Sequence, residues 1–307
     1  MQDPTSLQLA HQRLGVTMLY MGDLLLAEEQ LTQEVVDYEL ERERSSIRLY
    51  GQAPSSMQDM WLGQVKWLLG YPDQASKHLQ EALGIAKEVA HPFTHAFVLS
   101  LSFTFYYRSG AMQELNECLE TVFPLAEEQN FRMFSVQASL FQGYLWTKSG
   151  KIPEGIDAII KAMEFLKLMG SQISRPYNLS NLAEAQGLAG EPDQGLATVE
   201  QALAHVKETD EHYTEADILR VKGDLLLLSA ESDNRAEECY RQSLDVARSQ
   251  SAKSWELRTS LSLARLWQKQ GKQTEARGLL AEIYGWFTEG FDTPDLIDAK
   301  ALLEELS

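Results

Sequence analysis

The 307-residue chain has two cysteines, Cys118 and Cys239, and lacks any long apolar run. Two thiols make no disulfide framework and suit a reducing compartment. Without an apolar run of about 18 residues or more, no transmembrane helix is expected. The opening "MQDPTSLQLAHQRLG" has neither a basic region nor a continuous apolar one, so it does not read as an export signal. Basic residues are also scarce. Lys and Arg total 27 against 45 Asp and Glu, and a net charge of -18 repels a phosphate backbone. The densest basic stretch, "ERERSSIR", is cancelled by its own glutamates and reads as a solvated helix end. The expectation is a cytoplasmic protein with no nucleic-acid and no membrane partner.

Signatures of chemistry are missing too. G-x-G-x-x-G, G-x-S-x-G and the phosphate loop G-x4-G-K-[ST] do not occur. His91 and His95 have the four-residue spacing of helical zinc ligands, but Pro92 intervenes and no Cys or third His is close in sequence. "KETDEHYTEAD" (Lys207 to Asp217) groups acidic residues around His212 without the central Gly of a calcium loop, and reads as a solvated linker. No metal, no cofactor and no catalytic residue is expected. No segment alternates cleanly with period two, so no strand is expected either.

What the chain does have is a repeat. "GYPDQASKHLQEAL" at Gly70 returns as "GEPDQGLATVEQAL" at Gly190, and Gly70, Gly110, Gly150 and Gly190 follow one another at 40-residue intervals. Gly271 stands 81 residues beyond Gly190, with "SAESDN" around Glu231 in between; Gly22 stands 48 before Gly70, which implies an insertion, placed in "RLYGQAPSSMQ". Small residues dominate two flanking columns. Seven before the anchors stand Gly15, Gly63, Phe103, Gly143, Ala183, Asp224 beside Gly223, and Ala264; five after stand Ala27, Ala75, Leu115, Gly155, Gly195, Ala236 and Ala276. Between anchors the apolar spacing is helical, as in Ala75, Leu79, Ala82, Leu83 and Ala86. Each unit is therefore two helices of about 17 residues crossing closely at small side chains.

This spacing resembles the tetratricopeptide repeat, as does Ala followed four residues later by a large residue in Ala27/Leu31, Ala75/Leu79, Ala236/Tyr240 and Ala276/Leu280. The period exceeds the usual 34, and the family's early Trp and closing Pro are not regular. HEAT-like pairs of similar length are the alternative. The expected fold is all-α, a right-handed α-α superhelix of about seven tetratricopeptide-like pairs. The units lie near 5–44, 57–90, 92–130, 131–170, 174–210, 212–250 and 252–289, with a capping helix at 293–306. A stack of this kind is expected to be elongated. The cap is read from Gly290, Thr293 as N-cap, Pro294 at the first helical position, and a stripe of Leu296, Ile297, Leu302, Leu303 and Leu306.

"WLLGYPDQASKHLQEALGIAKEVAHPF", "ISRPYNLSNLAEAQGLAGEPDQGL" and "AKSWELRTSLSLARLWQKQGKQTEARGLL" look like the C-terminal helical repeats of large bacterial signalling proteins. There a class III adenylate or guanylate cyclase, or another effector domain, precedes an AAA/STAND-type ATPase and then such repeats. The resemblance implies a non-catalytic interaction or regulatory module. The alternative is a small-ligand-sensing domain like that of maltose-regulator-like activators. By resemblance to tetratricopeptide grooves, the partner-facing candidates are Gln64, Trp67, Phe97, Ser100, Thr104, Tyr107, Gln137, Tyr144, Thr147, Tyr177, Ser180 and Glu184. The expected partner is a protein or peptide in the concave groove, including the protein's own upstream domains.

Overall fold

A computed structural model describes residues 4–33, 38–229 and 233–307, and every regular element among them is a helix. The first unit pairs α1 (Pro4–Met21) with α2 (Leu24–Thr32), and an additional helix α3 (Leu40–Tyr50) takes up the lengthened connection. Then come α4 (Pro54–Leu69) with α5 (Pro72–Val89), α6 (Pro92–Ser109) with α7 (Met112–Glu128), and α8 (Arg132–Lys148) with α9 (Ile152–Leu168). The array continues with α10 (Arg175–Leu188) and α11 (Pro192–Thr209), α12 (Glu215–Leu228) and α13 (Asp233–Ser249), α14 (Lys253–Lys269) and α15 (Gln273–Tyr284). Helix α16 (Pro294–Glu305) closes it. The anchor position at Glu231 lies outside the described residues.

The repeated glycines follow the first helix in six of the seven pairs. At Gly70 φ is +92°, a left-handed value that a side chain disfavours, and the amides of Gly70 and Tyr71 return to the carbonyls of Trp67 and Lys66. The two small-residue columns meet where the helices cross. A Cβ on Gly143 would stand 2.9 Å from the Gly155 carbonyl oxygen, and one on Gly155 would stand 2.7 Å from the Gly143 carbonyl oxygen. The same approach brings the Gly63 position within 3.1 Å of the Ala75 carbonyl. Backbone contact at the crossing explains why small residues dominate both columns.

The second helix of each pair is amphipathic and lies outside. In α13, Ala236, Cys239, Tyr240, Ser243, Leu244 and Ala247 form the buried stripe. The first helices lie inside and are buried over most of their surface, as in α4 and α14. Both cysteines are free and buried.

The superhelix is not the open, elongated stack expected from its repeats. Its last units return onto its first three. Ser254 Oγ donates to the Trp67 carbonyl, Gln250 lies against Gly22, Pro72 against Gly290, and Pro294 against Gly110. The reason is curvature: each unit rotates relative to the last, and about seven units suffice to bring α14 against α4. Closure also overturns the reading of "KETDEHYTEAD" as a solvated linker. The amides of His212 and Tyr213 donate to the Tyr20 carbonyl at 2.8 and 3.3 Å, and Glu211, Tyr213, Thr214 and Asp217 are buried.

The last helix covers α14 and α15 with Leu296, Ala299, Leu302 and Leu306, all buried, whereas Ile297 is 52% exposed. Thr293 occupies the N-cap position in extended conformation, but its hydroxyl donates backward to the Gly290 carbonyl at 2.7 Å and makes no capping bond. No helix of the described residues is long and apolar enough to cross a membrane.

Candidate functional site

Closure divides the inner groove into two chambers with a wall of rings and guanidinium groups between them. Arg108, near the end of α6, lies over four rings. Its Cζ is 4.5 Å from the centroid of Tyr177, 5.2 Å from Tyr213, 5.6 Å from Trp255 and 5.9 Å from Trp67. Trp67 meets Trp255 edge-on at 5.0 Å, so the wall joins α4 to α14 across the closure. Arg258 from α14 stacks on the same two tryptophans and donates to the Arg108 carbonyl. Cations over desolvated rings contribute about 0.5–2 kcal/mol each.

On one side of the wall lies an apolar chamber of about 260 Å³. It is lined by Leu19, Tyr20, Trp61, Phe97, Met133, Phe134, Leu140 and Phe141, with Gln64, Ser100, Thr104, Gln137 and Tyr177 as polar points. Its mouth is marked by Ile173, which is 68% exposed. The chamber follows directly from α6, "PFTHAFVLSLSFTFYYRS", whose one fixed charge is Arg108.

On the other side lies a charged chamber, also of about 260 Å³, in which every charged side chain except Arg108 is in an ion pair. Lys148 meets Glu184 at 2.8 Å; Arg220 meets Asp217 at 2.7 Å and Asp224 at 2.6 Å; Arg258 meets Asp295 at 2.8 Å; Arg265 meets Asp298 at 3.4 Å. Burial works against the Glu184 carboxylate, yet Lys148 and Arg220 override it and hold the group down at about 2.

Glu211 is different. It is buried, its Oε2 accepts from the Ser174 amide at 3.2 Å, and its Oε1 has no partner. Burial pushes its carboxyl up to about 7, against the opposing pull of the Ser174 amide and of the Arg108 charge.

The structure brings six of the groove candidates to the apolar chamber: Gln64, Phe97, Ser100, Thr104, Gln137 and Tyr177. Tyr107, Tyr177 and Glu184 line the charged chamber. Trp67, Tyr144, Thr147 and Ser180 are buried in packing instead. The Tyr144 hydroxyl donates to Asn178 Oδ1 at 2.9 Å, and Thr147 Oγ1 donates to the Tyr144 carbonyl at 2.8 Å. Sequence reasoning missed Arg108, Tyr20 and Tyr213. Arg108 stands two residues before the anchor Gly110 and next to the candidate Tyr107. The available signal was a lone charge in an otherwise apolar and aromatic helix.

Among the described residues one trio could offer ligand atoms to a metal, Asp59, His78 and Glu81. His78 Nδ1 already lies 2.9 Å from Asp59 Oδ1, and the trio lines neither chamber. His91 is not a ligand candidate: its ring caps α6 by accepting from the Thr94 amide.

The pattern that defines the tetratricopeptide repeat matches residues 179–201, the crossing of α10 and α11. No curated protein matches the chain in sequence. Among solved structures, a Rap protein complexed with Competence and Sporulation Factor is similar, at 11% identity over 98% of each chain and a TM-score of 0.56. A tetratricopeptide repeat protein from Parabacteroides merdae is 12% identical, with 98% of this chain and 99% of that one covered and a TM-score of 0.51. Two further matches are longer proteins, of which this chain spans 55% and 50%. The second is a Signal Transduction ATPase with Numerous Domains from Pyrococcus horikoshii that carries a tetratricopeptide repeat sensor, 14% identical over 100% of this chain, with a TM-score of 0.47. The fold is an all-α superhelix of tetratricopeptide-like helix pairs.

Proposed function

We propose that this chain is a non-catalytic interaction and regulatory module whose inner groove receives a segment of a protein partner. We further propose that it is the C-terminal sensor or scaffold of a larger cytoplasmic bacterial signalling ATPase or cyclase. One observation carries the first part. The inner helices present aromatic and neutral-polar side chains to an open chamber, while the charged groups of the neighbouring chamber, Arg108 apart, are tied up in pairs. Such a surface can bind but has no group poised to react. The Rap protein of similar fold, complexed with Competence and Sporulation Factor, is a precedent for binding. The attachment to an ATPase rests on the sequence resemblance alone.

The test begins with the full open reading frame. The domains that precede these repeats are expressed separately, and their binding to this chain is measured by calorimetry with and without Thr104→Trp, which fills the chamber. Binding that Thr104→Trp abolishes, with the melting temperature unchanged, is the expected result. An absence of preceding effector domains overturns the second part of the proposal. Binding that ignores Thr104→Trp overturns the groove.

A further inference from the structure

The apolar chamber contains a cation without a counter-charge. Arg108 is 3% exposed, and of its donors only Nη1 reaches a partner, Gln64 Oε1 at 3.4 Å; Nε and Nη2 have none. Arg108 lines both chambers; its Nη1 reaches Gln64, which lines only the apolar one, whereas its carbonyl is taken by Arg258 from the charged side. A buried guanidinium whose polar neighbours are the neutral side chains of Gln64 and Tyr213 is costly, and rings offset that cost only in part. Glu211 does not close the gap, since its Oε2 is held by Ser174 and its Oε1 is without any partner.

Two more groups point the same way. The Tyr177 hydroxyl, on a side chain 3% exposed, has no partner, and neither does the buried Oε1 of Gln137; both residues line this chamber. Together they offer two cationic N–H donors, a hydroxyl and an acceptor, set among Phe97, Phe134 and Phe141. The complementary molecule has an anionic acceptor for Arg108, an N–H or O–H donor for Gln137, and an apolar body. At about 30 Å³ per water, the chamber volume corresponds to roughly nine waters, the size of a small organic acid.

We propose that the apolar chamber is a binding site for a small carboxylate with an apolar body and an N–H or O–H donor, its carboxylate seated on Arg108. The acid would occupy the same chamber as the partner segment proposed above, so the two compete for it, but the acid titration needs no upstream domain and is read separately.

The full chain is titrated calorimetrically with N-acetylphenylalanine, 3-(4-hydroxyphenyl)propionate and 3-phenylpropionate, each beside its uncharged amide. Expected are saturable binding and a raised melting temperature for the acids, with each amide weaker by about tenfold or more. Arg108→Gln should abolish the preference for acid over amide. Since Arg108 also packs among four rings, Gln137→Leu serves as a second variant that leaves those rings in place. It should weaken the donor-bearing acids and spare 3-phenylpropionate. A tetrapeptide ending in phenylalanine assigns the source: tighter binding than N-acetylphenylalanine indicates a polypeptide end, and equal or weaker binding indicates a free acid. The proposal is overturned if no acid in the panel binds, if acid and amide bind alike, or if folded Arg108→Gln keeps the preference. Failure here leaves the upstream-domain experiment untouched, so the two readings are separable.

Discussion

Ser254 donates its hydroxyl proton to the main-chain carbonyl of Trp67, a residue 187 positions earlier in the chain. Trp67 also stacks edge-on with Trp255, and Trp255 Nε1 donates to the Tyr213 carbonyl at 3.0 Å. One turn of α14 thus ties the second unit to the seventh and to the connection before α12. A repeat array is ordinarily held by contacts between neighbours in sequence. Here a long-range contact divides the groove into two chambers, and the site exists only because the array closes.

Trp255→Ala should therefore act on shape as well as stability. Loss of a fully buried indole costs about 3–5 kcal/mol, and the second and seventh units lose their shared ring contact. Small-angle scattering of the wild type should give a radius of gyration near the roughly 19–20 Å of a compact chain of this length. The variant, measured below its melting temperature, should be larger. An unchanged radius sinks the idea that this contact holds the closure.

Removing residues 293–307 should do more than expose an apolar end. Leu296, Leu302 and Leu306 leave α14 and α15 bare, Arg258 loses its 2.8 Å bond to Asp295, and Pro294 no longer covers Gly110. Self-association at micromolar concentration and an early melt are expected, because terminal repeats need a polar outer face. A truncated chain that stays monomeric and equally stable shows that α16 is dispensable.

At the Gly143–Gly155 crossing an added methyl meets backbone oxygen at less than 3 Å on either side. Backbone gives way less readily than a side-chain tip. Gly143→Ala and Gly155→Ala should each cost about 1–3 kcal/mol by overpacking, despite alanine's better helix propensity. Urea denaturation measures this directly; a stabilised Gly155→Ala contradicts it.

The repeats were legible because local chemistry repeats. Turn glycines, small residues at the crossing and helical apolar spacing are all short-range signals, and each maps onto an observed hairpin. Phe97, Ser100 and Thr104 reach the chamber as their spacing implies, since they share one face of α6 with Arg108. Thr147 and Ser180, assigned by the same register, are covered by packing. What could not be read was closure, because no local pattern relates Trp67 to Ser254. For the same reason Glu211 and Tyr213 looked like part of a wet linker, although the first unit covers them.

Alanine changes at four aromatic candidates should then separate by burial. Trp67, Tyr144 and Tyr177 are buried, and each should melt early on truncation, with a cost of about 3–5 kcal/mol. Tyr107 is only partly buried and packs on Tyr144 at 5.1 Å, so Tyr107→Ala should cost less. Thermal melts of the four variants decide the ranking. A Tyr144→Ala protein as stable as wild type overturns it.

Glu211 and Glu184 predict opposite pH dependences. The folded-state value of Glu211, about 7, lies above its ordinary 4.5, so between these pH values the folded chain binds a proton that the unfolded chain has lost. Stability therefore falls as pH rises through that window. Glu184, held at about 2, contributes stability that is complete above 4.5 and is lost as pH falls toward 2. Burial raises Glu43 and Asp224 as well, which adds to the alkaline loss. Glu211→Gln should thus flatten the decline between pH 4.5 and 7 without abolishing it, and should stabilise the protein most at about pH 8. Glu184→Gln should instead destabilise at pH 7 and converge with wild type near pH 2. Urea midpoints across the range test both. If Glu211→Gln is less stable than wild type at pH 8, the Glu211 carboxylate is paired in solution with Arg108, whose charge acts on it, and Arg108 then has a counter-charge of its own.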